Sequence, residues 1–150
     1  ELVTFVHLHP IDLTTSGGLD VVRHADLLKN TVTRLREIGT QVSLFIDADL
    51  KQVRKASAIG AEAIEINTGP YAEPNEDGQQ KCLARIVSAA RLGKRLHLEV
   101  LAGHGLTYTN IAPIASIEEI VEVNIGHSLV ARAVLVGVEQ AVREMRRLLG

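Results

Sequence analysis

The stretch Glu65-Ile66-Asn67 returns later in the chain as Glu122-Val123-Asn124, and this repeat decides the fold class. Side chains two residues apart on a strand point to the same face. Each copy would therefore place a carboxylate and an amide on one face of a sheet and an aliphatic side chain on the other. Helices cover both faces of an open doubly wound sheet, where such polar pairs are hard to accommodate. The interior of a βα barrel can hold them as a polar layer near its active end, so the repeat favours a barrel.

Short β-branched runs alternate with helical runs along the 150 residues, which fit a single α/β domain. The predicted strands are Leu2–Leu8, Gln41–Asp47, Ala63–Asn67, Leu96–Ala102 and Glu119–Ile125. The predicted helices are Leu19–Ile38, Leu50–Ile59, Gln79–Leu92, Thr109–Ile114 and Ser128–Leu149. Five parallel βα units cannot close an eight-stranded barrel, so the prediction is a partial barrel derived from the TIM fold. An open, flavodoxin-like parallel sheet is the alternative.

Glycines and turn residues mark the ends of the predicted elements. Gly39, Gly60 and Gly93 each follow a helix and precede a strand, as expected for left-handed helix C-caps. The segment Tyr71–Gly78 contains Pro74 and Asn75 among other turn formers and is predicted to be the longest loop and a mobile flap.

Composition excludes several classes of protein. Apolar residues make up 46% of the chain and aromatic residues only 3%, as is typical of parallel sheets filled with branched aliphatics. The net charge of −2, with acids and bases interspersed, indicates no surface for nucleic acid. Cys82 is the single cysteine, which excludes an internal disulfide and suits a reducing cytoplasm. We expect no membrane span and no signal peptide, and the abrupt start on a strand suggests a missing N-terminal portion.

Two strand-to-helix corners carry a Gly-His pair: Ala102-Gly103-His104-Gly105-Leu106 and Asn124-Ile125-Gly126-His127. Glycine lets backbone N–H groups approach a ligand closely, and the first turn of the following helix offers donors that favour an anion. A histidine beside those donors can transfer a proton near neutral pH. The corners therefore predict a phosphate held by backbone, with His104 as acid or base. The alternative is a loop histidine bonded to backbone and a turn that needs glycine for steric reasons.

A weaker hypothesis is a metal-dependent hydrolase that uses His7 and His9. These two histidines share one strand face, the spacing at which some barrel metallohydrolases begin a zinc site. Glu99 could add a carboxylate from another strand, and His97 faces the same way. Because no further histidine-rich cluster follows a predicted strand, we predict no metal site.

Other polar residues fit structural roles. Asp47 and Asp49 could contact a ligand or cap the next helix. The two Glu-apolar-Asn repeats are best interpreted as an interior polar layer, in which burial raises the pKa of a carboxyl group.

Several stretches resemble the pyridoxine 5′-phosphate synthase family in order along the chain. They are Leu13-Thr14-Thr15-Ser16-Gly17-Gly18-Leu19-Asp20-Val21, Val42-Ser43-Leu44-Phe45-Ile46-Asp47-Ala48-Asp49, Ile64-Glu65-Ile66-Asn67-Thr68-Gly69, Ala102-Gly103-His104-Gly105-Leu106-Thr107-Tyr108 and Asn124-Ile125-Gly126-His127. The resemblance implies a TIM barrel that assembles into homo-oligomers. It also implies condensation of 1-deoxy-D-xylulose 5-phosphate with 3-amino-2-oxopropyl phosphate to close the pyridine ring of vitamin B6, without a metal or other cofactor. His104 would be the general acid, Gly105, Gly126 and His127 would bind phosphate, and Thr14 would contact substrate.

The resemblance covers only the C-terminal five βα units of that family. The family's first three units carry a catalytic His, a catalytic Glu and phosphate-binding Arg residues that have no counterpart here. Within the matched part, Ser16 replaces a usual Glu, Leu101 replaces a usual Asn, and Val6-His7-Leu8-His9-Pro10 replaces a charged loop. The expected partner is therefore a phosphorylated small molecule or phosphate ion. The alternative is a non-catalytic scaffold, an engineered or truncated barrel fragment that keeps only the phosphate corners.

Overall fold

A computed structural model describes residues 1–6, 17–73 and 76–150 of the chain, without the side chains of Glu76 and Asp77. Within these residues the strands are β1 (Leu2–Phe5), β2 (Gln41–Ile46), β3 (Ala63–Asn67), β4 (Glu99–Gly103) and β5 (Glu122–Asn124). The helices are α1 (Ala25–Glu37), α2 (Leu50–Ala58), α3 (Gly69–Ala72), α4 (Glu76–Arg95), α5 (Ile111–Ala115), α6 (His127–Val136) and α7 (Val138–Leu149).

The described strands form one parallel sheet in the order β1-β2-β3-β4-β5. Along the chain, one or more helices connect each strand to the next. Each strand from β2 to β5 pairs with the strand that precedes it in sequence. A flavodoxin-like sheet would instead have the order 2-1-3-4-5, so that alternative is wrong. The strands make up one half of a barrel, and the predicted partial barrel of five parallel βα units is confirmed.

The two faces of the sheet differ as the Glu-apolar-Asn repeats predict. The outer face packs against the helices and builds the main core from buried aliphatic side chains, among them Val42, Leu44, Ile46, Ile64, Ile66 and Val100. The inner face carries Phe45, Glu65 and Leu101 side by side in register, with Glu122 next to Leu101. The helices therefore cover the aliphatic face of the sheet, and the face that lines the barrel interior carries Glu65 and Glu122 beside the apolar Phe45 and Leu101.

Glycine behaves as predicted after two helices but not after the third. Gly39 and Gly60 have positive φ angles of 80° and 91°, as left-handed C-caps require. Gly93 lies inside α4, and a Cβ atom there would come within 2.9 Å of Val100 Cγ2 and 3.0 Å of Ile64 Cδ1. Its role is close packing of helix on sheet. The left-handed residue after α4 is His97, with a φ of 61°.

The segment predicted as a loop, Tyr71–Gly78, is largely helical where it is described. It contributes the end of α3 and the start of α4, while residues 74 and 75 lie outside the described part. Tyr71 is buried, and its hydroxyl donates a hydrogen bond of 2.8 Å to the carbonyl of Asn110. A mobile flap is therefore wrong for Tyr71, because its side chain ties α3 to the β4–α5 connection.

The predicted long C-terminal helix is two helices that meet at Gly137. The φ and ψ of Gly137 are 85° and 152°, which end α6 and allow α7 to turn back. Arg132 on α6 donates two hydrogen bonds, of 2.8 and 3.1 Å, to the carboxylate of Glu144 on α7. These bonds, with a further one from Gln140, lower the pKa of Glu144 to about 2. Tyr108 also donates to the carbonyl of Ala141 at 2.9 Å, so α7 is anchored to the β4–α5 connection.

None of the helices in the described ranges has both the length and the apolar character needed to cross a bilayer.

The Gly137→Ala variant is expected to be less stable than the parent by about 1–3 kcal/mol, because this φ and ψ combination is essentially restricted to glycine. Urea unfolding followed by circular dichroism measures the difference. Gly126→Ala is the matched control: its φ is −105° and a Cβ atom there meets nothing within 4 Å, so we expect a change within about 0.5 kcal/mol. Equal stability of Gly137→Ala and the parent would show that the break does not depend on glycine.

Candidate functional site

The two Gly-His corners lie side by side at the carboxyl ends of β4 and β5. Parallel pairing places Gly103 directly opposite Asn124, so the residues that follow each strand emerge together. Both corners line one open cleft of about 810 Å³, whose walls include His104, Gly105, Leu106, Asn124, Gly126, His127 and Ser128. The hydroxyl of Ser128 donates to the carbonyl of Leu106 at 2.7 Å and links one corner to the other. The structure thus brings four of the five predicted site residues together, and their roles remain predictions.

His104 occupies a backbone conformation that side chains rarely adopt. Its φ is 80°, and that of Gly105 is 72°, so the chain turns sharply as it leaves β4. The turn directs His104 to an exposed position. Its ring lies edge-on to Phe45 of β2, with ring centroids 6.5 Å apart. The imidazole is therefore both accessible to a ligand and in contact with the barrel interior.

Asn110 holds the rest of the β4–α5 connection, and the sequence analysis did not identify it. Its side-chain oxygen accepts a hydrogen bond of 2.7 Å from the Thr107 amide. Its side-chain nitrogen donates to the Gly105 carbonyl at 3.1 Å. Asn110 directly precedes α5, and an asparagine before a helix is a signal for local side-chain bonding to backbone that could have been noticed.

Gly126 precedes the first turn of α6, where helix geometry leaves N–H groups free to meet a ligand. Its φ of −105° is accessible to any residue, so conformation does not require glycine here. A Cβ atom would meet nothing within 4 Å, which means that the space above Gly126 is open. The steric interpretation of this glycine therefore finds no support in its φ or in the space around it.

Glu65 lies on the inner face of β3, directly beneath the corner at His104. A Cβ atom on Gly103 would be 2.2 Å from Glu65 Oε1, so only glycine leaves room for this carboxyl group. Burial raises the pKa of Glu65, a hydrogen bond from Asn124 lowers it, and the nearby charge of Glu122 raises it; the net shift is upward. The buried polar pair of β3 and the upward pKa shift of Glu65 are as predicted, whereas Glu122 and Asn124 of β5 are exposed.

A hydrogen-bonded chain continues this layer toward β2. Asp47 Oδ1 accepts bonds from Asn67 Nδ2 at 2.9 Å and from the Gly18 amide at 3.0 Å. Asn67 Oδ1 in turn accepts from the Gly69 amide at 2.9 Å. Asp49, in contrast, caps α2 by accepting from the Lys51 amide at 2.7 Å. Capping is therefore confirmed for Asp49, whereas Asp47 bonds to Asn67 and Gly18 and does not cap α2.

Three predicted residues, Thr14, His7 and His9, lie outside the described residues. His97 and Glu99, which were considered as companions of His7 and His9, are at the amino end of β4, at the far end of the strand from His104. Among residues 1–6, 17–73 and 76–150, no group of three or more His, Cys, Asp or Glu side chains is arranged to hold a metal ion.

Glu65→Gln is expected to raise the free energy of unfolding at pH 7, because folding at that pH buries a carboxyl group that is ionised in the unfolded chain. With the folded pKa above the ordinary value, the penalty is absent well below pH 4.5, grows as the pH rises from the ordinary pKa to the folded pKa, and is constant above it. Urea unfolding from pH 4 to pH 8 should therefore show the variant's advantage increasing with pH. The exposed Glu37→Gln controls for the loss of one charge, and a destabilised Glu65→Gln at pH 7 would contradict the analysis.

The profile of one protein family, pyridoxal phosphate biosynthesis protein PdxJ, matches residues 1–150. Curated relatives named pyridoxine 5′-phosphate synthase include that of Legionella pneumophila (strain Corby), which is 48% identical over 139 residues. That of Chlorobium chlorochromatii is 46% identical over 145 residues. The matches cover 92% and 97% of this chain but only 56% and 62% of the two relatives, so the chain spans little more than half their length.

A solved structure of a monomeric dihydrodipicolinate synthase variant has a similar fold, with a TM-score of 0.51. The match covers 79% of this chain and 42% of the other, at 18% sequence identity, and therefore concerns the fold alone. The profile match over the whole chain, together with relatives at 46–48% identity, identifies the family. The chain belongs to the PdxJ family of pyridoxal phosphate biosynthesis proteins.

Proposed function

We propose that this chain is the phosphate-binding portion of a pyridoxine 5′-phosphate synthase. The whole protein would condense 1-deoxy-D-xylulose 5-phosphate with 3-amino-2-oxopropyl phosphate and release phosphate and water. The observation that carries the proposal is the single cleft lined by both Gly-His corners. The family to which the chain belongs suggests the reaction. The geometry of the cleft supports the binding of a phosphate group next to a proton donor.

Backbone N–H groups hold the phosphate in this proposal. The first turn of α6, which begins at His127, combines free N–H donors with the positive end of the helix dipole. Gly105 and Gly126 have no side chain to obstruct the anion. Glu65 lies beneath this site against Gly103, where burial raises its pKa.

His104 acts as the general acid. Once α6 holds the phosphate, the remaining substrate atoms lie in the same cleft as the exposed imidazole. A protonated imidazole can deliver its proton to a departing oxygen, which then leaves as a neutral or less charged group. Such proton transfer typically contributes 10²–10⁴-fold to a rate. Thr14 is proposed to contact substrate from outside the described residues.

The remaining chemistry belongs to residues that this chain does not contain. The family's catalytic His and Glu and its phosphate-binding Arg residues come from the first three βα units, which have no counterpart in these 150 residues. We therefore expect the chain by itself to bind phosphate esters without turning over the two substrates.

We also propose that the whole protein is a cytoplasmic homo-oligomer. The free thiol of Cys82 is half-buried and suits a reducing compartment. Val130, Val134 and Leu135 leave an apolar face of α6 exposed, and their side chains are 63%, 81% and 78% accessible. An exposed face of this kind favours association with other chain segments.

Titration of the ¹⁵N-labelled chain with inorganic phosphate and with pyridoxine 5′-phosphate tests the binding proposal. We expect saturable amide shifts at Gly105, Gly126 and His127. Gly126→Leu places a large side chain at the open end of α6 and should weaken binding at least about tenfold, roughly 1.4 kcal/mol. Gly126→Ala is the matched control, with a smaller loss expected. The absence of shifts in the parent chain would favour the scaffold alternative.

A further inference from the structure

The left-handed backbone conformation of His104 must be stabilised by its surroundings. Both His104 and Gly105 have positive φ angles, but only glycine adopts such angles without steric cost. A histidine in this conformation persists only where its surroundings determine it. The residues that stabilise the His104 conformation follow the neighbouring strand β3, at the start of α3.

Thr68 bonds to the peptide groups on both sides of His104. Its hydroxyl oxygen is 2.8 Å from the Gly103 carbonyl oxygen and 2.6 Å from the His104 carbonyl oxygen, so its single hydrogen is shared between them. Its amide also donates to the Gly103 carbonyl at 2.8 Å. Thr68 itself is completely buried. Because the planes of both peptide groups that flank the His104 Cα are held, its φ and ψ are held as well.

Gly69 leaves the space in which the imidazole lies. A Cβ atom on Gly69 would be 2.7 Å from His104 Cδ2 and 3.5 Å from His104 Nε2. Phe45 is in edge contact with the same ring. The ring is thus in contact with the backbone of the β3–α3 turn and with the barrel interior.

Gly105, which follows His104, is also closely packed. A Cβ atom on Gly105 would come within 2.6 Å of Ala72 Cβ, so α3 presses against the turn that follows His104. Thr68, which joins β3 to α3, therefore contacts the His104 backbone. Within α3, Gly69 contacts the His104 ring and Ala72 contacts Gly105.

We propose that Thr68 and Gly69 are positioning residues for His104: Thr68 holds its left-handed backbone, and Gly69 provides the space that sets the orientation of its ring. The importance of this arrangement for proton transfer rests on the function proposed above. The placement of the ring does not, and it can be measured without substrate.

The first test is the nuclear Overhauser effect between His104 Hδ2 and the Gly69 Hα protons in the full 150-residue chain. We expect it in the parent, its loss in Thr68→Val, which keeps the shape but removes the hydroxyl, and its recovery in Thr68→Ser. Thr31→Val is the matched control, because it removes a hydroxyl that donates to a helix carbonyl, that of Leu27, at 3.0 Å. Persistence of the effect in Thr68→Val would overturn the role of Thr68.

Gly69→Ala tests the same proposal without changing the hydroxyl. The added methyl group should displace the imidazole and shift its Cδ2–Hδ2 resonance away from the parent position. Gly17→Ala is the control, since a Cβ atom there meets nothing within 4 Å. An unchanged His104 resonance in Gly69→Ala would overturn the role of Gly69.

Inorganic phosphate separates this proposal from the proposed function. In Thr68→Val a phosphate-induced shift at Gly126 should persist, because α6 keeps its N–H donors, while the shift at Gly105 should change with the turn at His104. If the parent chain shows no phosphate shift, the proposed function fails while the Overhauser result still decides the positioning role.

Discussion

Parallel pairing of strands that are consecutive in sequence is the constraint on which the rest of this structure depends. It places the carboxyl ends of all described strands at the same end of the sheet. The register pairs Asn67 with Gly103 and Gly103 with Asn124. Residues that are distant in sequence therefore meet because backbone pairing places the ends of their strands next to one another. The cleft at His104 and Gly126 is a direct consequence of this register.

Hydrogen bonds from polar side chains then connect the segments at this end of the sheet. The chain from Asp47 to Asn67 to Gly69 joins β2 to the β3–α3 turn, and Ser128 joins the two Gly-His corners. A strained residue, the left-handed His104, lies in the same place, while the left-handed His97 lies at the opposite end of β4. Buried polar bonds and strained backbone commonly occur together at functional sites, since each strained residue needs neighbours that determine its conformation.

Periodicity and glycine positions in the sequence predicted the order of the strands and helices well, but their ends less well. The Glu-apolar-Asn repeats placed β3 and β5 and their inner faces correctly, because strand periodicity reflects burial directly. Gly93 was assigned to a helix end, since its actual role, close contact with Val100 and Ile64, arises only when α4 meets the sheet. Gly137 was passed over because helical periodicity continues on both sides of it. A single glycine within such a pattern is compatible with a helix or a break.

The sequence by itself determined the βα order, the two-faced strands and the Gly-His corners, because these features depend on periodicity and on glycine over short distances. Only the tertiary structure decided that Thr68 bonds to both peptide groups of His104 and that Glu65 lies against Gly103. Those contacts join residues more than thirty positions apart. Their geometry follows from the register between β3 and β4, which no local pattern encodes.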